Sequence, residues 1–199
     1  MKLTVAETKA LPRAMQYEEM IRDLFTKDLG GIDGQRMHAA IGISGESAEL
    51  MKAFMLRDER NLVEEGGDAY FYVQALLNQN NWTVEDVLNA RTDCEQDLVG
   101  MEGAQTIIYA GDILDIAKKS WVYGKTIDLA ALKTAVGNWL HAFMSLMDAE
   151  GGDFFEALTL EDLKAHNQYK LVTGPNARFA TGKYTDAAAI ARADKPAGE

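Results

Sequence analysis

Cysteine is nearly absent. Cys94 stands alone in 199 residues, so no intrachain disulfide can form. Only His38, His141 and His166 accompany it, and so sparse a set of nitrogen and sulfur ligands argues against a zinc cluster. Such usage leads us to expect a reduced, cytoplasmic protein. Proline is scarce too: Pro12, Pro175 and Pro196 are the only three, and residues 13 to 174 contain none. A proline-free run without alternating β-branched segments predicts helices throughout, and hence an all-α fold. No apolar run reaches the roughly 18 residues a membrane helix needs, and the first twenty residues lack the apolar core of a secretory signal. Basic side chains are outnumbered, 20 against 31 acidic, for a net charge of -11. That balance excludes a nucleic-acid-binding surface, which needs cations to replace phosphate counterions. It leaves room for a small polyphosphate held through metal ions. The 47% of hydrophobic residues suffices for one compact domain or two small ones.

Caps and apolar spacing predict the helices. A first runs from Pro12 to the Gly30-Gly31 stop, with Met15, Met20, Ile21, Leu24 and Phe25 as its apolar stripe. A second spans Gly34 to Arg57 with Met37, Ile41, Met51 and Met55 inward, and a third Asn61 to Asn80 with Val63, Phe71, Val73 and Leu77. Thr83-x-x-Asp86 resembles a capping box and opens a fourth that reaches Leu98. The second half repeats this plan, with a helix from Ala104 to Tyr123, one from Asp128 to Glu150, and one capped by Thr159-x-x-Asp162 that reaches Leu171. After Gly151-Gly152 and this last long helix, the tail predicts a loop and a short helix over Asp186 to Arg192.

These parallels suggest an internal duplication with halves 1–100 and 101–199. Gly45-Glu46-x-x-Glu49-x-x-Lys52 aligns with Gly111-Asp112-x-x-Asp115-x-x-Lys118. Gly67-Asp68 aligns with Gly137-Asn138, and Thr83-Val84-Glu85-Asp86-Val87 with Thr159-Leu160-Glu161-Asp162-Leu163. The offset grows from 66 to 70 to 76 residues, as loop insertions produce.

The acidic pairs carry the chemistry. Glu46-x-x-Glu49 and Glu65-x-x-Asp68 each place two carboxylates on one helix face, and antiparallel packing of the two helices brings all four to one pocket. Bare carboxylates so close repel one another unless some are protonated or a cation intervenes. Magnesium suits the oxygen ligands, holds phosphate oxygens and activates water. Gly66 and Gly67 lie inside the third helix, where each costs roughly 1 kcal/mol against alanine. Close backbone approach or ligand space accounts for them. Solvated surface acids remain the simpler reading of spacing alone.

With its context, the motif resembles the MazG-like all-α nucleoside triphosphate pyrophosphohydrolases, which carry E-x-x-E on one helix and E-x-x-D on the next. The surrounding residues are Arg36-x-His38-Ala39-Ala40-Ile41-Gly42-Ile43-Ser44-Gly45-Glu46-Ser47-Ala48-Glu49-Leu50 and Glu64-Glu65-Gly66-Gly67-Asp68. Gly111 to Lys119, Tyr123-Gly124-Lys125, Asn167-x-x-Lys170-Leu171, Arg178 and Gly182-Lys183-Tyr184-Thr185 extend the likeness over most of residues 15 to 194. The resemblance implies a helical bundle of two tandem MazG-like repeats. It implies that Glu46, Glu49, Glu65 and Asp68 bind magnesium, for which manganese can substitute, and that hydrolysis between the α and β phosphates yields a monophosphate and pyrophosphate. A carboxylate of the Glu46/Glu49 pair then helps deprotonate the attacking water.

Lys52, Lys118, Lys119, Lys125 and Lys170 are candidate phosphate contacts, as point charges. Tyr72, Trp82, Trp121, Tyr123 and Trp139 are available to stack on a base, with Trp121 and Tyr123 favoured for their lysine neighbours. His38 and His141, on helix faces with apolar neighbours, are expected as satisfied structural residues, and His166 stands beside Asn167. There is no Walker-type phosphate loop, dinucleotide fingerprint or G-x-S-x-G elbow. The second half departs from the family: Ala135 and Asn138 replace the second acidic pair, while Arg91 and Cys94 stand in the first half where the second has Asn167 and Lys170. A fused pseudo-dimer with one composite site follows, with metal ligands from the first half and Asn167 and Lys170 from the second. The alternatives are specificity for pyrimidine deoxynucleotides or an alarmone, or a catalytically decayed nucleotide-binding or assembly protein. A homodimer of the fused pair is a candidate assembly.

Overall fold

The computed structural model describes residues 2–27, 29–92, 101–148 and 156–191. Among these every regular element is helical: α1 (Val5–Lys9), α2 (Tyr17–Leu24), α3 (Ile32–Leu56), α4 (Glu59–Asn80), α5 (Val84–Leu88), α6 (Glu102–Trp121), α7 (Leu129–Met147), α8 (Leu160–Gln168) and α9 (Asp186–Ala191). A π-helical turn, Tyr169–Thr173, continues α8.

Local chemistry sets most boundaries. Arg57 takes the left-handed conformation (φ 55°) at the end of α3, and the Asp58 carboxylate accepts the Asn61 amide at 3.2 Å to open α4. Two residues therefore reverse the chain, and α3 and α4 lie antiparallel. Their register is read at two points. The Arg36 guanidinium donates to the Asn80 side-chain oxygen at 2.7 Å, and the Tyr72 ring lies against Gly42, where a Cβ would come within 2.3 Å of it. That register sets Glu46 level with Asp68 and Glu49 level with Glu65. On its other flank α3 meets α6, also antiparallel: the Ser44 hydroxyl donates to the Ala110 carbonyl at 3.1 Å, and Gly103 sits under Met51. Trp139 of α7 donates from Nε1 to the Ser47 hydroxyl at 3.0 Å and stacks on Phe143. Full burial of Trp139, Tyr70, Phe143, Ile43, Leu50 and Leu76 makes the core between these helices, at about 1.5–3 kcal/mol for a typical large apolar side chain.

The short helices cross over. α5 packs on α7, where a Cβ on Gly137 would meet the Val87 carbonyl at 2.1 Å; α8 packs on α4, where a Cβ on Gly66 would meet Leu163 at 3.1 Å and one on Gly67 would meet the Leu163 carbonyl and Asn167 at 3.4 Å. Close helix approach thus explains the Gly66-Gly67 pair, and ligand space does not.

Several boundaries and faces differ from expectation. The predicted Pro12–Gly31 helix is only Tyr17–Leu24, preceded by a left-handed Gln16 (φ 52°), and Met15 is exposed. An additional helix, α1, forms upstream because Thr4 and Glu7 make a capping box. Ile41 and Met55 are 52% and 73% exposed, because α4 and α6 cover the face that carries Ala39, Ala40, Ile43, Ser47, Leu50 and Ala53. α5 stops at Leu88 instead of reaching Leu98, and α8 gives way to the π-helical turn before Leu171. α7 stops at Met147. Cys94, Leu98, Glu150, Gly151, Gly152, Arg192 and Pro196 lie outside the described residues.

Candidate metal centre and adjoining cavity

Glu46 and Glu49 share a face of α3 because three residues make nearly one turn, and the antiparallel register brings Glu65 of α4 opposite them. Carboxylate oxygens of these three residues all lie within 4.8 Å of one another. Glu65 is buried, Glu46 half-buried and Glu49 exposed, so the group opens to solvent on one side. Burial, followed by the charges of Asp68, Glu65 and Glu49 and a hydrogen bond to Glu65, pushes the Glu46 carboxyl up to about 8. Burial, then Asp68 and Glu64, raises Glu65 to about 7 even though Lys170 opposes the shift. Such a site is under-charged in cation: an ion with oxygen preference relieves the repulsion that otherwise drives protonation. The donor set therefore fits magnesium.

Asp68 stands outside this trio. Its Oδ1 accepts from Asn167 Nδ2 at 3.0 Å and its Oδ2 from Lys170 Nζ at 2.5 Å. Lys170 also donates to Glu64 at 2.9 Å, and Asn167 Oδ1 accepts from the buried Tyr17 hydroxyl at 3.0 Å. Burial opposes the Lys170 charge, but Asp68 and Glu64 outweigh it and hold the ammonium above the ordinary lysine range. Asn167 and Lys170 therefore meet the acidic residues of α4. With a side chain only 3% exposed, Lys170 steadies Asp68 and Glu64 and is not open to a phosphate. Glu64 had no role in the sequence motif. Its partner lies 106 residues away, and no local spacing signals such a pair.

The other cations lie elsewhere. Lys118 and Lys119 pair with Asp115 on the outer face of α6, at 3.1 and 2.5 Å. The α3–α6 register sets them roughly 15 Å or more along the axis from Glu46 and Glu49. Lys125 is exposed beyond the end of α6, and Lys52 is exposed on α3, one turn past Glu49. In the second half the lysines hold Asp115 below the ordinary carboxylate range, and Asn138 accepts from the Thr92 amide at 3.1 Å. Asp115 therefore lacks the uncompensated charge found at Glu46 and Glu65.

Glu46 and Asp68 also line a cavity of about 490 Å³ walled by Leu24, Phe25, Phe71, Tyr72, Leu171, Phe179 and Tyr184, with His38, Lys27 and Arg178 as its other polar members. Of the five aromatic candidates only Tyr72 is here. Trp139 is core, and Trp121 and Tyr123 are 52% and 63% exposed at the end of α6, against the expectation that favoured them. His38 corrects another expectation. It stacks on Phe25 with ring centroids 4.6 Å apart, and its Nδ1 is buried without a hydrogen-bond partner. Burial, with help from Lys27, lowers its pKa and favours the neutral ring. His141 is exposed, not packed in the core. His166 is buried with both ring nitrogens unpartnered, and burial lowers its pKa to about 4.

No helix among the described residues is long and apolar enough to cross a membrane. Compared with protein-family models, curated proteins and solved structures, the chain has no match.

Proposed function

We propose that the chain is a magnesium-dependent nucleotide pyrophosphohydrolase, which splits a nucleoside triphosphate into the monophosphate and pyrophosphate. One observation carries the reading: Glu46, Glu49 and Glu65 converge beside a cavity of nucleoside size with aromatic walls. Glu46, Glu49 and Glu65 hold the ion, with Asp68 beside them. When bound, magnesium supplies positive charge for the phosphates and lowers the pKa of a water. The water oxygen bonds to the α phosphorus as the bond to the α–β bridging oxygen breaks. A carboxylate of the Glu46/Glu49 pair takes the water proton, and pyrophosphate leaves with the bridging oxygen. Asn167 and Lys170 fix the Asp68 carboxylate, and Lys170 keeps Glu64 from adding uncompensated charge.

The same reading treats the halves as a duplicated unit, in a cytoplasmic protein with its lone thiol reduced. Ser44 and Ala110 directly precede the aligned Gly45 and Gly111, and these two residues meet where α3 crosses α6. Contact between equivalent positions is what a two-fold axis produces. Leu163 over Gly67 and Val87 over Gly137 form a second equivalent pair.

The test is a panel of nucleoside triphosphates with magnesium, following monophosphate and pyrophosphate. Glu49→Gln, on the exposed side of the trio, should abolish turnover while leaving the helical circular dichroism unchanged. Full turnover in that variant, or none in the wild type, overturns the assignment.

A further inference from the structure

His38, Gly42 and Glu46 occupy every fourth position of α3 and so share one face. From His38 to Glu46 is about 12 Å along the axis. Both ends line the same cavity, and the Tyr72 ring lies against Gly42 between them. The cavity thus runs from the acids to an imidazole, over the length that separates the α phosphate of a nucleotide from the outer edge of its base.

The imidazole is held for edge recognition. Phe25 covers one ring face at 4.6 Å and 18°, and Tyr72 meets the ring edge-on at 5.8 Å and 67°. Nδ1 is sealed from solvent without a partner, leaving Nε2 as the polar ring atom available to a ligand. Nδ1 has no protein partner in either neutral tautomer, so Nε2 is the ring atom placed to hydrogen-bond a ligand, and it donates when it carries the proton.

We propose that His38 is a specificity-determining residue that reads the nucleobase, donating from Nε2 to an acceptor on the edge of the planar heterocycle. The inference rests on the nucleotide reading of the metal centre. Leu24, Phe71 and Phe179 supply apolar walls for the ring system, and His38 supplies the directional contact that distinguishes a base from any other flat apolar group.

The test uses the full chain with magnesium present and calorimetric titration of UMP, GMP and ribose 5-phosphate, the last lacking a base. UMP and GMP should bind the wild type more tightly than ribose 5-phosphate. His38→Phe keeps an aromatic ring against Phe25 and removes the donor. It should weaken UMP and GMP about tenfold, about 1.4 kcal/mol, and leave ribose 5-phosphate unchanged. His38→Gln, which restores an N–H, should recover part of the loss. The proposal is overturned if all three ligands bind the wild type alike, if His38→Phe leaves UMP and GMP unchanged, or if it weakens all three equally. Failure of the metal-centre reading has a different signature: ribose 5-phosphate binding is then indifferent to magnesium, while the base-dependent difference at His38 persists.

Discussion

Magnesium binding should expel protons from the protein, in a number set by Glu46 and Glu65. Burial and neighbouring carboxylates hold these two near 8 and 7, and they titrate as a linked pair. At pH 7 Glu46 is then about nine-tenths protonated and Glu65 about half, so the free site holds about 1.4 protons. An ion takes carboxylates and not carboxylic acids, so binding releases what the site holds. By linkage, the logarithm of affinity climbs with pH at a slope equal to the protons released. Release averages about one proton between pH 7 and 8, which makes binding about tenfold tighter at pH 8. By pH 9 only about 0.1 proton remains, and affinity should level off. The sign is definite: protons compete with the cation, so acid weakens binding.

Titration calorimetry in two buffers of different ionisation enthalpy reads the proton count directly. Glu46→Gln removes one of the two linked carboxyls and should lower proton release at pH 7 and weaken binding. Near-zero release by the wild type at pH 7, with affinity flat from pH 6 to 9, would refute the trio as the ion's site. The measurement needs no substrate and no turnover, and so judges the metal centre independently of the reaction assigned to it.

The same carboxyls predict how the metal-free protein melts. Their folded-state values lie above the unfolded value of 4.5, so their contribution is full below that pH and is lost as pH rises through 7 to 8. In EDTA, Tm should be lower at pH 8.5 than at pH 6, with magnesium reversing the order; a higher Tm at pH 8.5 in EDTA contradicts this account. Two helical glycines should respond in opposite directions. Gly45→Ala meets open space and should stabilise by about 1 kcal/mol, whereas Gly137→Ala puts a methyl group 2.1 Å from the Val87 carbonyl and should cost about 1–3 kcal/mol in urea melts. Shifts of the same sign would refute the α5–α7 packing. Lys170→Met removes the nearest cation from the buried Glu64, which still has Lys2 at 3.7 Å, and should cost about 3 kcal/mol, part of which Glu64→Gln recovers in the double variant. Simple additivity of the two would show that the pair is not coupled.

What could be read from the sequence was whatever depends on neighbours within one turn. Thr83 and Thr159 make the capping boxes their spacing predicts, and the i, i+3 acids of α3 and α4 lie where helical periodicity puts them. The same kind of signal existed at Thr4-x-x-Glu7, while Pro12 drew the helix start to the wrong place. Faces were harder. α3 is gripped on two sides, by α4 and α6, so apolar residues occur around much of its circumference and Ile41 and Met55 are indistinguishable from core by spacing.

The site divides along the same line. Glu46, Glu49 and Glu65 need only two helices joined by a tight turn. Asp68 has the right spacing, but its surroundings depend on Lys170 and Asn167, which reach it from beyond residue 160. The cavity is assembled from still more separated stretches: Leu24 to Lys27, α3, α4, and the segment after α8. Each wall residue, taken alone, looks like ordinary core. Only the fold shows that Phe25 covers the imidazole, that Tyr72 fills the gap at Gly42, and that the His38 edge is left without a protein partner. The proposed metal centre was legible because ligands to one ion must converge, and i, i+3 spacing on two paired helices delivers that. The proposed base contact was not, because an aromatic wall imposes no spacing on the chain that builds it.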